Sequence, residues 1–210
     1  MVFGRRMCRS FDGIPLDPAV VDGLLLAAQR APAAGNTQGW QFLVLDDPEA
    51  VARYWAATLP ESRRARFPWP GLLRAPVLIV PCADASAYVT RYGEADKAQR
   101  VAASGGEKAA LASTAEAWAV PYWMVDTAMA TMTLLLGAVD AGLGACFFGQ
   151  FEHEPAVRAA FGIPDAFQPI GTVALGRPDY ADRSSRSVRQ RPRPPIDHVV
   201  HRGRWGSAER

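Results

Sequence analysis

The chain has 210 residues, 49% of them apolar, enough to bury one sizeable core without disulfide or metal staples. Its 23 Lys and Arg against 21 acids leave a net charge of +2, too small for a protein that holds nucleic acid by bulk charge. Cys8, Cys82 and Cys146 are odd in number and far apart, which argues against a disulfide framework or a zinc knuckle and fits a reducing cytoplasm.

The opening MVFGRRMCRSF is basic but runs into Asp12, Pro15 and Asp17 rather than an apolar stretch with a cleavage site, so it does not read as a secretion signal. In LDPAVVDGLLLAAQRAP, Asp17 is placed to cap a helix and Pro18 sits in its first turn. Val21, Leu24, Leu25 and Ala28 then share one face. Pro32 ends the helix, because its ring breaks the hydrogen-bond ladder and disfavours a helical Ala31. APAAGNTQGW, 31–40, is therefore a loop leaving a helix, and WQFLVLDDP reads as a buried strand closed by Asp47 and Pro48. Residues 49–74 predict one short helix, then PESRRARFPWPG, whose charges and prolines predict no regular element.

APVLIVPCA, 75–83, predicts a second buried strand, and 84–118 a helical excursion whose softest point is ASGGEK at 103–108. YWMVDTAMATMTLLLGAVDAGLG predicts a long helix, apolar nearly all round and stopped by Gly142 and Gly144. Its most apolar part, 127–139, is too short to span a bilayer, so it must be covered by its own sheet or by a partner subunit. Asp126 and Asp140 near its ends could be buried and perturbed, although helix-end acids usually face water. ACFFGQF then reads as a short strand, HEPAVRAAFGIP as a helix and FQPIGTVALGRP as a third strand, with no Gly-rich dinucleotide fingerprint and no internal repeat.

Catalytic side chains are hard to find. His198 and His201, at i and i+3, have no second pair to complete a metal site, and with His153 they read as surface or cap residues. Asp46 and Asp47 sit at a strand exit, where a turn would put them anyway. Arginine is more informative. Arg5, Arg6 and Arg9 cluster near one end and Arg191 and Arg193 near the other, and guanidinium grips phosphate through two parallel donors. Alone, each cluster is a solvated flank; with Asn36 and Gln38 they form a set, cations for a phosphate and carboxamides for a heterocycle that displays donors and acceptors.

In order along the chain, RRMCRSF, APAAGNTQGWQF, GLGACFFGQF and VALGRP with the basic RPRPPIDHVVH tail resemble the FMN-dependent nitroreductase family. The match covers the first 50 residues and roughly 120–205. It implies a single α+β domain over 1–210, a nitroreductase-like sandwich with a mixed or antiparallel central sheet flanked by helices. It also implies a lid-type insert at about 60–118, a long central helix that pairs with its twin in a homodimer, and a C-terminal extension at about 180–210 that wraps the neighbour.

Carried over by position, Arg5 and Arg9 match the ends of the family's RRSxR start and would contact the phosphate or the pyrimidine edge of the ring. Arg6 falls where the contact is often through backbone. Met7 stands where the family has Ser, and a thioether cannot donate to a phosphate oxygen. Asn36 and Gln38 would bond the isoalloxazine edge or ribityl chain, with Pro32, Ala33 and Ala34 supplying backbone and a small-residue surface beneath the ring. Phe147, Phe148, Gly149 and Gln150 align with the segment at the flavin N5 edge, where many members carry an acid followed by Gly. Arg191 and Arg193 resemble the basic pair that completes the phosphate clamp.

The resemblance implies hydride transfer from NADH or NADPH through FMN N5, with no side-chain nucleophile, and Arg9 near N1 and O2 stabilising the anionic reduced ring. If Trp69, Tyr88, Tyr92, Trp118, Tyr122 and Trp123 line a wide lid, the acceptor is planar and electron-poor, a nitroaromatic or quinone; ordinary packing is the other reading of each. Rival readings are a flavin-dependent dehydrogenase or dehalogenase of one metabolite, and a non-catalytic flavin store. A nucleic-acid module on 183–193 is disfavoured by the lack of interleaved aromatics, and no membrane partner is expected.

Overall fold

In the computed structural model, which describes residues 2–103, 113–180 and 190–206, aspartates and prolines set most element boundaries. Asp17 caps α1 (Pro18–Ala28) by accepting the Ala19 N–H, with Pro18 in the first turn. After β1 (Trp40–Leu45), Asp47 caps α2 (Pro48–Thr58) in the same way through the Ala50 N–H. PESRRARFPWPG is more ordered than its composition predicts: Pro60 opens the single turn α3 (Glu61–Arg64) and Pro70 opens a 3-10 stretch, Pro70–Arg74. Proline lacks the N–H that a first turn leaves unused, so here it starts turns rather than preventing them.

β2 (Val77–Asp84) is followed by α4 (Ala85–Gly93) and α5 (Ala95–Ala103), so the expected helical excursion is present; its expected soft point lies from residue 104 onward outside the described residues. α6 (Tyr122–Asp140), β3 (Gly144–Phe148) and α7 (Glu154–Phe161) match their predicted types. FQPIGTVALGRP does not form one strand. It divides into β4 (Phe167–Pro169) and β5 (Thr172–Gly176), both antiparallel to β2.

The break is a β-bulge. Pro169 pairs with Cys82 and Val173 with Ile79, so Ile170, Gly171 and Thr172 stand opposite Val80 and Pro81 alone. Gly171 carries the bend at φ 145, and a Cβ there would lie 2.7 Å from the Phe147 ring and from the Phe148 carbonyl oxygen. Replacing Gly171 with Ala is therefore expected to destabilise the fold by about 2 kcal/mol, read as a melting temperature lowered by roughly 5 °C. An unchanged melting temperature would show that the bulge relaxes at no cost.

The sheet runs β1-β2-β5-β3, with β4 also on β2, and every strand pair is antiparallel. β2 is its centre, although it falls inside the span read as an insert. Leu78, Val80 and Cys82 join one core with Tyr54 and Trp55 of α2 and Val157 of α7, while Val77 and Ile79 join another with α1 and α6. Burial on both faces explains the unbroken apolar run in the sequence. The N-terminal segment adds to the far edge: Met7 bridges Ala145 in parallel, and the Cys8 N–H donates to the Ala145 carbonyl at 2.9 Å.

α6 is long and apolar enough to cross a bilayer by length and composition, with 19 residues and a mean hydropathy of 1.3. It is a core helix in this fold: Thr127, Ala130, Thr131, Leu134, Leu135 and Ala138 are buried, and it packs on α1, β2 and β3. Tyr122, Val125 and Met132 leave a second, partly exposed apolar face.

Candidate functional site

The end of β3 and the N-terminal segment build one wall together. The Phe147 N–H donates to the Met7 sulfur at 3.4 Å, so the thioether serves as an acceptor and packs against both cores. Arg9 donates to the Met7 carbonyl at 3.3 Å and lays its guanidinium over Trp69, 5.1 Å from the ring centre. Arg9, Trp69 and residues 147–151 border a cavity of about 340 Å³, floored by Trp55 stacked on Phe148 at 5.9 Å. One Arg5 guanidinium nitrogen, Nη1, is buried without a hydrogen-bond partner. A desolvated cationic donor is unfavourable alone and favourable beside an anion such as phosphate.

Gln150 is only 6% exposed and donates through Nε2 to Thr172 Oγ1 at 3.0 Å, while Thr172 shares a 2.7 Å hydrogen bond with the Tyr54 hydroxyl. Burial pushes the Tyr54 phenol up to about 12, which keeps it neutral and bonded at ordinary pH. Gln150 Oε1 is buried with no partner. Residues 149–151 also border a second cavity, of about 670 Å³, with Trp123, Asp165, Gln168 and the Arg158–Glu154 ion pair on its walls.

The carboxamide loop is fixed from another direction. Asp126 is 1% exposed, and its Oδ2 accepts both the Ala34 N–H and the Tyr88 hydroxyl, each at 2.7 Å. Burial, then the bond to Asp126, raises the Tyr88 phenol far above its ordinary value. Of the two readings of Asp126, buried or facing water, the fold has the buried one: a helix carboxylate inside the fold holds a turn that cannot satisfy itself. Arg91 Nε donates to the Gly35 carbonyl at 3.0 Å and is held in turn by Asp96, whose carboxyl it draws down to about 2. Gly35, Asn36 and Gln38 all lie at positive φ, 64°, 57° and 56°. Two left-handed non-glycine residues in one loop are backbone strain of the kind that concentrates at ligand sites. Gln38 Nε2 donates to Asn36 Oδ1 at 3.2 Å, so it orients its neighbour.

The structure thus gathers Arg9, Phe147, Phe148, Gly149 and Gln150 on one cavity, with Met7 behind its wall. That cavity's lining includes none of Pro32, Ala33, Ala34, Asn36 or Gln38. Arg191 and Arg193 are exposed on the tail beyond the undescribed 181–189, where Arg183 and Arg186 also fall. Of the aromatics read either as a lid lining or as ordinary packing, Tyr88, Tyr92, Trp118, Tyr122 and Trp123 make edge contacts with one another between 4.6 and 6.3 Å. Trp69 belongs to the smaller cavity and Trp123 to the larger. Among the described residues no cluster of His, Cys, Asp and Glu could hold a metal ion.

Comparison with known proteins gives this arrangement a lineage. The model of the Nitroreductase family matches residues 2–177. A candidate NADH dehydrogenase/NAD(P)H nitroreductase of Archaeoglobus fulgidus is 27% identical over 98% of this chain and 97% of its own. An NADH dehydrogenase of Thermus thermophilus is 32% identical, with 83% of each chain covered. A candidate nitroreductase of Exiguobacterium sibiricum, solved in complex with FMN, superposes with a TM-score of 0.71 at 22% identity over 95% of this chain and 94% of its own, a likeness of fold. A sheet with this wall and this loop, matched over most of its length by one family model, leaves a plain conclusion: the chain belongs to the Nitroreductase family.

Proposed function

We propose that the protein is an FMN-dependent oxidoreductase that takes electrons from NADH or NADPH and delivers them to a planar, electron-poor acceptor of the nitroaromatic or quinone type. The observation that carries this reading is the wall itself: the Arg9 guanidinium and residues 147–150 border an aromatic cavity, and the same N-terminal segment carries a buried, unpartnered Arg5 nitrogen. That donor set fits FMN. Arg5 would meet the phosphate and Arg9 a polar edge of the ring. Bound FMN supplies the redox chemistry, hydride in from the nicotinamide and out to the acceptor. The protein's share is to bind, orient and place positive charge, which agrees with a site poor in acids and bases.

The working unit in this reading is a homodimer. The strained loop at 35–38 lies off the cavity of its own chain, so the same loop of a second copy would complete it. The partly exposed face of α6 and the exposed Ile196, Val199 and Trp205 of the tail supply apolar surface for such a contact. A reducing cytoplasm suits the three buried thiols.

Purified protein is expected to be yellow, to release FMN on denaturation, and to bleach with NADH or NADPH and recover faster when a quinone is added. Protein that stays colourless and takes up no added FMN would defeat the proposal. A yellow protein that neither nucleotide bleaches would instead be a flavin store, and turnover that no planar acceptor accelerates would point to a dedicated metabolite.

A further inference from the structure

Phe151 is held in a way that its own packing does not explain. Its φ is 49°, a left-handed conformation that a bulky side chain rarely adopts, yet it is 82% exposed, so burial does not fix it there. Its ring rests on the backbone of Gly149, where a Cβ would stand 3.0–3.4 Å from three ring carbons. Phe151 borders both cavities, the smaller with Arg9 and the larger with Trp123 and Arg158.

We propose that Phe151 is a specificity-determining residue whose ring stacks on the flat, electron-poor ring that exchanges hydride with the cofactor. The inference rests on the flavoenzyme reading above. An aromatic face is electron-rich, so it prefers an electron-deficient partner; a quinone, a nitroaromatic and an oxidised nicotinamide have that character, whereas the dihydronicotinamide of NADH stacks through flat apolar contact alone. The exposed ring at the junction of two cavities is where such a partner would arrive, and the strained backbone keeps the ring out of the core and presented to it.

The test uses FMN-loaded enzyme with Phe151→Ala, Phe151→Leu and Phe151→Gly, following the two half-reactions separately by the flavin absorbance. Leu keeps bulk without the π face, and Gly also removes the strain. The Ala and Leu variants are expected to bind NADH, menadione or both about three- to tenfold more weakly, with ferricyanide, an octahedral acceptor that cannot stack, changed less than twofold. Loss confined to NADH assigns the nicotinamide as partner, and loss confined to menadione assigns the acceptor. Titration of the oxidised enzyme with nicotinamide, read as a flavin spectral shift, measures the same contact without turnover. The Gly variant should melt within about 3 °C of wild type, because relief of the left-handed strain at φ 49° offsets the freer unfolded chain and the lost ring contact on Gly149. Unchanged binding of both rings, an equal loss with ferricyanide, or a large fall in melting temperature in the Gly variant would overturn the proposal. A wild-type protein that holds no FMN would fail the flavoenzyme reading first, before any variant is compared.

Discussion

Replacing Asp126 with Ala is expected to lower stability by about 3 kcal/mol and to abolish most flavin retention. One carboxylate oxygen accepts two donors, the Ala34 N–H and the Tyr88 hydroxyl, at 2.7 Å each, and the residue is 1% exposed. Truncation strands both donors, and each stranded buried donor costs roughly 1–3 kcal/mol. For a chain of 210 residues that sum corresponds to a melting temperature lower by about 10 °C. Tyr88→Phe removes one donor and leaves the other paired, so its loss should be near 1 kcal/mol, and the double variant should lose less than the sum of the two singles. Flavin retention reads a second consequence. The Ala34 contact is what ties the turn bearing Asn36 to α6; the other outside anchor of this loop of three left-handed residues, Arg91 on the Gly35 carbonyl, comes from α4. An Asp126→Ala protein that melts within 2 °C of wild type would show that the anchor is idle.

Much of this frame was legible before any coordinates, because its signals are local. Asp17 and Pro18 announce α1, and the apolar run of β2 announces a strand covered on both faces. What was not legible depends on partners distant in sequence. The bulge at Gly171 reads as a strand interior, since only the closeness of Phe147 and Phe148 demands a residue without a side chain. Asp126 reads as a helix-end acid until Ala34 and Tyr88, 92 and 38 residues away, are brought to it. An isolated acid in an otherwise apolar helix was the available signal. Family resemblance singled out Arg9 and 147–150, which the fold brings to one cavity, but it could not show that Met7 turns its sulfur to the Phe147 N–H or that Gln38 braces Asn36. It also passed over Phe151, because backbone dihedrals leave no mark in composition.

Replacing Arg5 with Ala should weaken FMN binding by about 10- to 100-fold, while the flavin-free protein keeps its melting temperature or gains slightly. The two expectations come from the same atom. Nη1 is buried without a partner, so in the absence of an anion its removal relieves a desolvated donor, and in the presence of one it removes a charge-assisted bond. Arg5→Lys separates charge from shape: the ammonium keeps the charge and loses the fork, and should recover only part of the affinity. Arg191 and Arg193 are exposed and follow a different logic. An exposed cation acts through screened charge, so its contribution should shrink with added salt far more than that of Arg5. A loss with Arg191→Ala that matches Arg5→Ala and resists salt would mean that a second copy lays its tail over the phosphate and excludes water there. Replacing Arg5 and Arg191 together should then exceed the effect of replacing Arg183 and Arg186, and equal losses in the two pairs would move the phosphate away from Arg5.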